Sequence, residues 1–181
     1  SDVCSSDLVF YYKNSEIQDA KRCFLIALKR SFHCGEILLR PAIRCGAATI
    51  HRVEGEFRKA VNHFRSVLAM PGALPNFRIN AACNLGEVLH LLGAGTRALA
   101  MRQQALEEAD RLGDEYLRML TAFGAAATHC FLGKTAAEPE LQAEELAGKR
   151  DDTGIRAGLA LYRGIRAETR AALREAMQQY G

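Results

Sequence analysis

Apolar and polar residues alternate along most of the chain with the spacing of amphipathic α-helices. In the segment FRKAVNHFRSVL, apolar side chains recur every three or four residues, whereas Arg58, Lys59, Asn62 and Arg65 lie on the opposite side. The later segment TRALAMRQQALEEADRL repeats this arrangement. The two stripes predict helices that each bury one face against a neighbouring helix.

Three glycines divide this pattern into pairs of helices. Gly55, Gly93 and Gly133 each separate two helical segments, and they are spaced 38 and then 40 residues apart. The segment before each glycine is more continuously apolar than the segment after it, so we expect an enclosed first helix and an amphipathic second helix in each pair. An earlier helix, from Glu16 to about His33, carries the same apolar stripe one period before.

The end of the chain departs from this regularity. Gly154, Gly158 and Gly164 lie within its last thirty residues. Each glycine costs a helix about 1 kcal/mol relative to alanine. We therefore expect a degenerate helix pair over residues 151–180, after a repeat core that covers about residues 9–148.

The residues at the repeated positions are small or aromatic. Ala48, Gly55, Ala60 and Phe64 follow one another with intervals of seven, five and four residues. Gly86, Gly93 and Ala98 of the next copy and Gly133 of the third lie at corresponding positions, and Ala105 is a further small residue that matches the pattern in the second copy. This pattern resembles the tetratricopeptide repeat, although its period is near 40 residues rather than about 34 and Arg102 stands where an aromatic is expected.

The resemblance implies an all-α fold, an α-α superhelix of stacked antiparallel helix pairs with small residues where helices approach closely. The long period is similar to that of degenerate repeats in bacterial signalling proteins. These include LuxR-type regulators related to the maltose-operon activator, and the repeat tails attached to nucleotide cyclases and regulatory ATPases. The resemblance therefore implies a protein-binding or ligand-binding segment with regulatory domains attached to it.

The first eight residues, SDVCSSDL, show neither helical nor strand periodicity. They resemble the translation of a common sequencing-library adapter, so we expect residues 1–8 to be non-native and the repeat domain to cover residues 9–181 of a gene fragment. The helix from Glu16 to His33 would then lack most of its partner. We expect its face with Ile17 and Phe24 to be exposed.

Composition narrows the class of protein without naming a function. The chain has 181 residues, 49% of them hydrophobic and 25% charged, which is ordinary for a globular domain that can bury a core without disulfides or a metal. No cofactor is predicted. A net charge of +3 indicates no direct nucleic-acid partner, and no apolar stretch is long enough to predict a membrane span. Six cysteines without a C-x-x-C motif predict reduced thiols and a cytoplasmic location.

The groove positions follow from the resemblance, because the first helix of each pair lines the concave surface in tetratricopeptide-like stacks. The polar side chains at these positions are Arg52, Asn80, Glu87 and His90. A charged pair and an amide on a rigid wall can fix the backbone and ends of an extended peptide or a small ligand. The alternative, that these residues are solvated or satisfied by neighbouring turns, stays open.

Other candidate chemistry is weaker. Cys83, Glu87 and His90 have the spacing of one helix face and suit a thiol nucleophile with a base, or part of a metal site. No second ligand pair occurs at metal spacing, and a buried cysteine usually packs as a small hydrophobe, so we predict neither catalysis nor a metal site. His51 and His129 lie 39 residues either side of His90, which indicates an echo of the repeat.

Three arginines near the end of the chain form a basic stripe along one helix face. Arg166, Arg170 and Arg174 recur every four residues and suit an acidic partner, but a solvated face is favoured. The leading hypothesis is thus a binding segment of a larger bacterial regulator, in signal transduction or transcription regulation, and not an enzyme. A free-standing peptide receptor is the main alternative, and a spacer or a thiol enzyme are further ones.

Overall fold

The computed structural model describes residues 17–33, 39–133 and 137–180, and these form eight α-helices and no strand. The helices are α1 (Ile17–His33), α2 (Arg40–Val53), α3 (Phe57–Leu68), α4 (Pro75–Leu91), α5 (Gly95–Leu112), α6 (Glu115–Phe131), α7 (Ala137–Lys149) and α8 (Thr153–Tyr180). The predicted all-α class of consecutively packed helices is confirmed.

The helices end where the sequence places glycine. Gly55, Gly93 and Gly133 each follow the first helix of a predicted pair, and each has a positive φ, between 67° and 75°. Glycine adopts this left-handed conformation without the steric cost that a Cβ brings, so the chain can reverse within two or three residues. Gly113 ends α5 in the same way, and the side chain of Asp114 then caps α6.

The chain divides into two compact units, residues 1–93 and residues 94–181. In the first unit each of the helices α1 to α4 packs on the next, and α2 also packs on α4. Phe64, Ile50 and Ile79 are fully buried at the centre of this unit, and the repeat positions Ala48 and Ala60 are fully buried with them. Small side chains at these positions let the helices approach closely.

The expected exposure of Phe24 is corrected by its contact with α2. Phe24 is half-buried, and its ring lies so close to Gly46 that any Cβ added there would overlap it. The absence of a side chain at Gly46 creates the space that the ring occupies. The side chain of Ile17 lies outside the described residues.

The second unit repeats the packing order with different residues. Helix α6 contacts α5, α7 and α8, and α7 contacts α8. Met119, Leu159 and the repeat positions Ala98 and Ala105 are buried there. Arg102, which stands at the expected aromatic position, is buried as well.

The predicted C-terminal helix pair over residues 151–180 is wrong. One helix, α8, runs through Thr153–Tyr180 without a turn. Its glycines carry no left-handed backbone, and a Cβ at Gly158 would come within 2.7 Å of the Phe123 ring. Glycine therefore makes room here for a packed aromatic ring and does not interrupt the helix.

None of the helices in the described ranges is long and apolar enough to cross a membrane.

Candidate functional site

The first unit brings two of the predicted groove residues into contact. Arg52 near the end of α2 donates a hydrogen bond from Nη1 to Oε1 of Glu87 on α4. The two side chains are 21% and 38% exposed, so the ion pair lies at the surface between the two helices. The packing of α2 on α4 explains how residues 35 positions apart meet.

The other two predicted residues lie on α4 with Glu87. Asn80 is exposed, and its Oδ1 accepts a hydrogen bond of 2.7 Å from Nδ2 of Asn84. His90 is half-buried and lies one helical turn beyond Glu87. We call Arg52, Asn80, Asn84, Glu87 and His90 the polar face. This face presents hydrogen-bond donors and acceptors on two helices, and such groups can bind the polar backbone of a peptide.

The contribution of the Arg52–Glu87 pair to stability is small. Ion pairs with this much solvent contact typically contribute about 0–1 kcal/mol, because water screens the charges and ordering two long side chains costs entropy. The core residues of the first unit contribute far more, since burying one large apolar side chain stabilises a fold by roughly 1.5–3 kcal/mol. The stability of the first unit therefore depends mainly on its buried apolar side chains and little on this pair.

Four cysteines lie among the described residues, and two of them, Cys45 and Cys130, are buried. Cys45 is buried beside α4, and burial raises the pKa of its thiol to about 12. Cys130 is buried too, and burial raises its pKa, while Arg166 partly opposes that change. A thiol with a raised pKa is a poor nucleophile. Cys83 is half-buried on α4, where the neighbouring carboxylate of Glu87 is engaged by Arg52.

A second cluster, which the sequence analysis did not predict, lies at the turn between α2 and α3. Nδ1 of His51 is 2.5 Å from Oε2 of Glu56 and 4.0 Å from Oε2 of Glu54. We call His51, Glu54 and Glu56 the turn cluster. The signal was present in the sequence as H-R-V-E-G-E, because a glycine turn after Glu54 folds Glu56 back towards the histidine.

The surroundings of the turn cluster hold its side chains in place. The ring of His63 on α3 stacks on that of His51, with the ring centres 5.3 Å apart. Burial lowers the pKa of His63, and the charges of His51 and Arg44 lower it further. Nζ of Lys59 lies 2.6 Å from Oε1 of Glu56 and so fixes the second oxygen of that carboxylate.

The second unit has an aromatic surface between α6 and α8. The ring of Phe123 stacks on Tyr162 with the ring centres 5.5 Å apart, and Phe131 meets Tyr162 edge-on at 5.7 Å. Phe131 is 54% exposed. We call Phe123, Phe131 and Tyr162 the aromatic face. Ala127 and Cys130, further along α6, are buried.

Charged residues of the second unit cluster between α7 and α8 instead. The carboxylate of Glu140 accepts hydrogen bonds from Arg163 and Arg166, and Arg163 also binds Glu144. The hydrogen bond from Arg163, together with its charge, lowers the pKa of Glu144. Arg166 was expected in a solvated stripe; it is only 19% exposed because it pairs with the nearly buried Glu140.

Comparison with known proteins leaves the family open. No model of a known protein family matches this chain, and no curated protein sequence matches it significantly. The resemblance to the tetratricopeptide repeat stays a prediction.

Proposed function

We propose that this chain is a tetratricopeptide-like helical-repeat segment that binds an extended peptide, or such a segment of a protein partner, across the polar face. We further propose that it serves as the sensing or interaction segment of a larger bacterial regulatory protein. The observation that carries the binding proposal is the Arg52–Glu87 pair, which joins the first helices of two neighbouring pairs at the surface.

The chemistry of the polar face suits a peptide. A guanidinium has five N–H donors, so Arg52 can bind a peptide carboxylate or carbonyl while it still contacts Glu87. The amide of Asn80 is exposed and can donate to a peptide carbonyl, because its oxygen already accepts from Asn84. Both side chains project from helices, so the backbone loses little conformational entropy when a ligand binds.

Selection from a displayed library of random peptides, followed by titration of the enriched peptides, tests this proposal. The test variant is Arg52→Gln with Glu87→Gln, which removes both charges at nearly constant side-chain size. The matched control is Lys149→Gln with Glu145→Gln, an exposed ion pair on α7. We expect the test variant to bind the selected peptides at least about tenfold more weakly, the loss of one or two good hydrogen bonds to charged groups.

The control should bind the peptides with wild-type affinity. Circular dichroism and a melting curve establish that both variants are folded before the titration. Equal peptide affinity in the wild type and the test variant would show that the polar face is not the binding surface. Enrichment of no peptide at all would count against peptide binding as the function.

The regulatory role is tested separately, by reading the source DNA on both sides of the coding region. A nucleotide-binding, cyclase or helix-turn-helix domain in the same reading frame would support the role as part of a regulator. A start codon within one repeat upstream, together with a stop codon directly after Gly181, would favour a free-standing peptide receptor instead. The peptide titration is unaffected by either result.

A further inference from the structure

The turn cluster consists of one histidine and two glutamates, and proteins use both residue types as ligands of transition metals. One imidazole nitrogen and two carboxylate oxygens all lie within 4.8 Å of one another. His51 is nearly buried, while Glu54 and Glu56 are partly exposed. The three residues come from the end of α2 and the start of α3, on both sides of Gly55.

We propose that His51, Glu54 and Glu56 bind one divalent first-row transition-metal ion, with Zn²⁺ as the reference ion. Bonds of about 2.0–2.2 Å from a tetrahedral metal to nitrogen and oxygen place neighbouring ligand atoms roughly 3.4 Å apart. The observed separations of 2.5 Å and 4.0 Å lie on either side of that value. Binding of an ion therefore requires Oε2 of Glu54 to move closer to Nδ1 of His51 and Oε2 of Glu56 to move slightly away from it, and rotation about side-chain bonds is the simplest way to make both changes.

The mixture of donors selects the class of metal. Imidazole nitrogen favours zinc, copper, nickel and iron over magnesium and calcium, which prefer sites made of oxygen ligands alone. Two carboxylates supply the negative charge that a divalent cation requires. Three protein ligands leave at least one coordination position for water or for a side chain of a bound partner.

The backbone around the site is already in place. The N–H of Glu56 donates to the carbonyl of His51 at 2.8 Å, and Gly55 has the positive φ that closes the turn. Stacking on His63 fixes the imidazole ring, and Lys59 holds the outer oxygen of Glu56 so that Oε2 faces His51. Such outer contacts orient metal ligands in known sites, where their loss weakens binding by about 10–100-fold.

The glutamates allow a test that leaves the buried histidine intact. Zn²⁺ is titrated into the full chain against a chromogenic chelator, for the wild type, Glu54→Gln, Glu56→Gln and the control Glu138→Gln. Glu138 is an exposed glutamate on α7. We expect one Zn²⁺ per chain, a dissociation constant raised at least about tenfold in each turn-cluster variant, and a wild-type constant in the control.

Substitution of Co²⁺ for Zn²⁺ gives a spectroscopic measurement of the same site. Visible d–d absorption should develop in the wild type and in Glu138→Gln, and should weaken in Glu54→Gln and Glu56→Gln. Equal Zn²⁺ affinity in all four proteins would place the ion elsewhere, for example on thiols, and would overturn the proposal. Absence of any Zn²⁺ binding would overturn it too. The result is independent of peptide binding at the polar face.

Discussion

The two units pack their helices in the same order but present different chemistry on the corresponding surfaces. In the first unit, α2 and α4 are linked at the surface by the charges of Arg52 and Glu87. In the second unit, α6 and α8 are linked by the stacked rings of Phe123 and Tyr162. The charged network of the second unit lies between α7 and α8 instead, around Glu140.

This difference separates what the repeat determines from what individual residues determine. Small residues and turn glycines recur in both units and set where the helices run. The side chains between the helices are not constrained by the repeat, so each unit can develop its own surface. The polar face suits a polar, extended partner, whereas the exposed ring of Phe131 suits an apolar side chain.

The largest effect is expected from breaking the packing that the two units share. Phe64 is fully buried in the first unit, so Phe64→Ala should reduce the free energy of unfolding by roughly 3–5 kcal/mol through lost burial and a residual cavity. Urea unfolding measures this. Leu161→Ala, at a position 62% exposed on α8, should change it by less than about 0.5 kcal/mol. Similar losses in both variants would contradict the assigned core.

Each unit contains a buried cysteine, and the rate at which its thiol is alkylated reports how well the unit encloses it. A rise in the pKa of Cys45 from 9.0 to about 12 reduces its thiolate fraction at pH 8 by about a thousandfold. Alkylation by iodoacetamide, followed by mass spectrometry, should therefore be far slower at Cys45 in the folded protein than in urea. Burial also raises the pKa of Cys130, although Arg166 opposes that rise, so Cys130 should likewise react more slowly in the folded protein than in urea. Equal rates for Cys45 in both conditions would contradict its enclosure.

Loss of the ion-pair network around Glu140 should lower the free energy of unfolding by less than loss of a core side chain such as Phe64. Glu140→Gln leaves Arg163 and Arg166 without their shared carboxylate, and hydrogen bonds between charged groups contribute roughly 1.5–3 kcal/mol each before solvent screening. Because Arg163 is substantially exposed, we expect a total loss of about 1–2 kcal/mol in urea unfolding. Glu145→Gln, at an exposed pair, is the control and should be nearly neutral. A neutral Glu140→Gln would show that the network has no structural role.

The smallest effect on stability is expected at the polar face. Arg52→Gln with Glu87→Gln should reduce the free energy of unfolding by no more than about 1 kcal/mol, and added salt should shrink the difference. Chemical unfolding at low and high ionic strength measures both quantities. A loss above about 2 kcal/mol would mean that the pair mainly holds α2 to α4, which would weaken its assignment to recognition.

Much of the fold could be predicted from the sequence, because it depends on local signals. The helix predicted from Glu16 to about His33 is α1, Ile17–His33, and the turn glycines lie where the apolar pattern breaks. The end of the chain could not be predicted in this way. Gly158 cannot be told from a turn glycine by residue type. It makes room for the ring of Phe123, which is distant in sequence.

The candidate sites show the same limit. Helical spacing placed Glu87 and His90 on one face of α4, but the pairing of Glu87 with Arg52 depends on how α2 packs against α4. Helical spacing does not predict the turn cluster, because its residues lie on both sides of the turn between α2 and α3. Glu56 reaches His51 only because the positive φ of Gly55 reverses the chain between them.

A charge exchange, Arg52→Glu with Glu87→Arg, assayed with peptides selected by the wild type, tests whether these two side chains recognise a partner. The exchange restores an attractive pair between α2 and α4 but reverses the charge that a partner meets at each position. We predict a melting temperature close to that of the wild type and binding at least about tenfold weaker. Wild-type affinity for the same peptides would contradict the claim that Arg52 and Glu87 recognise a partner.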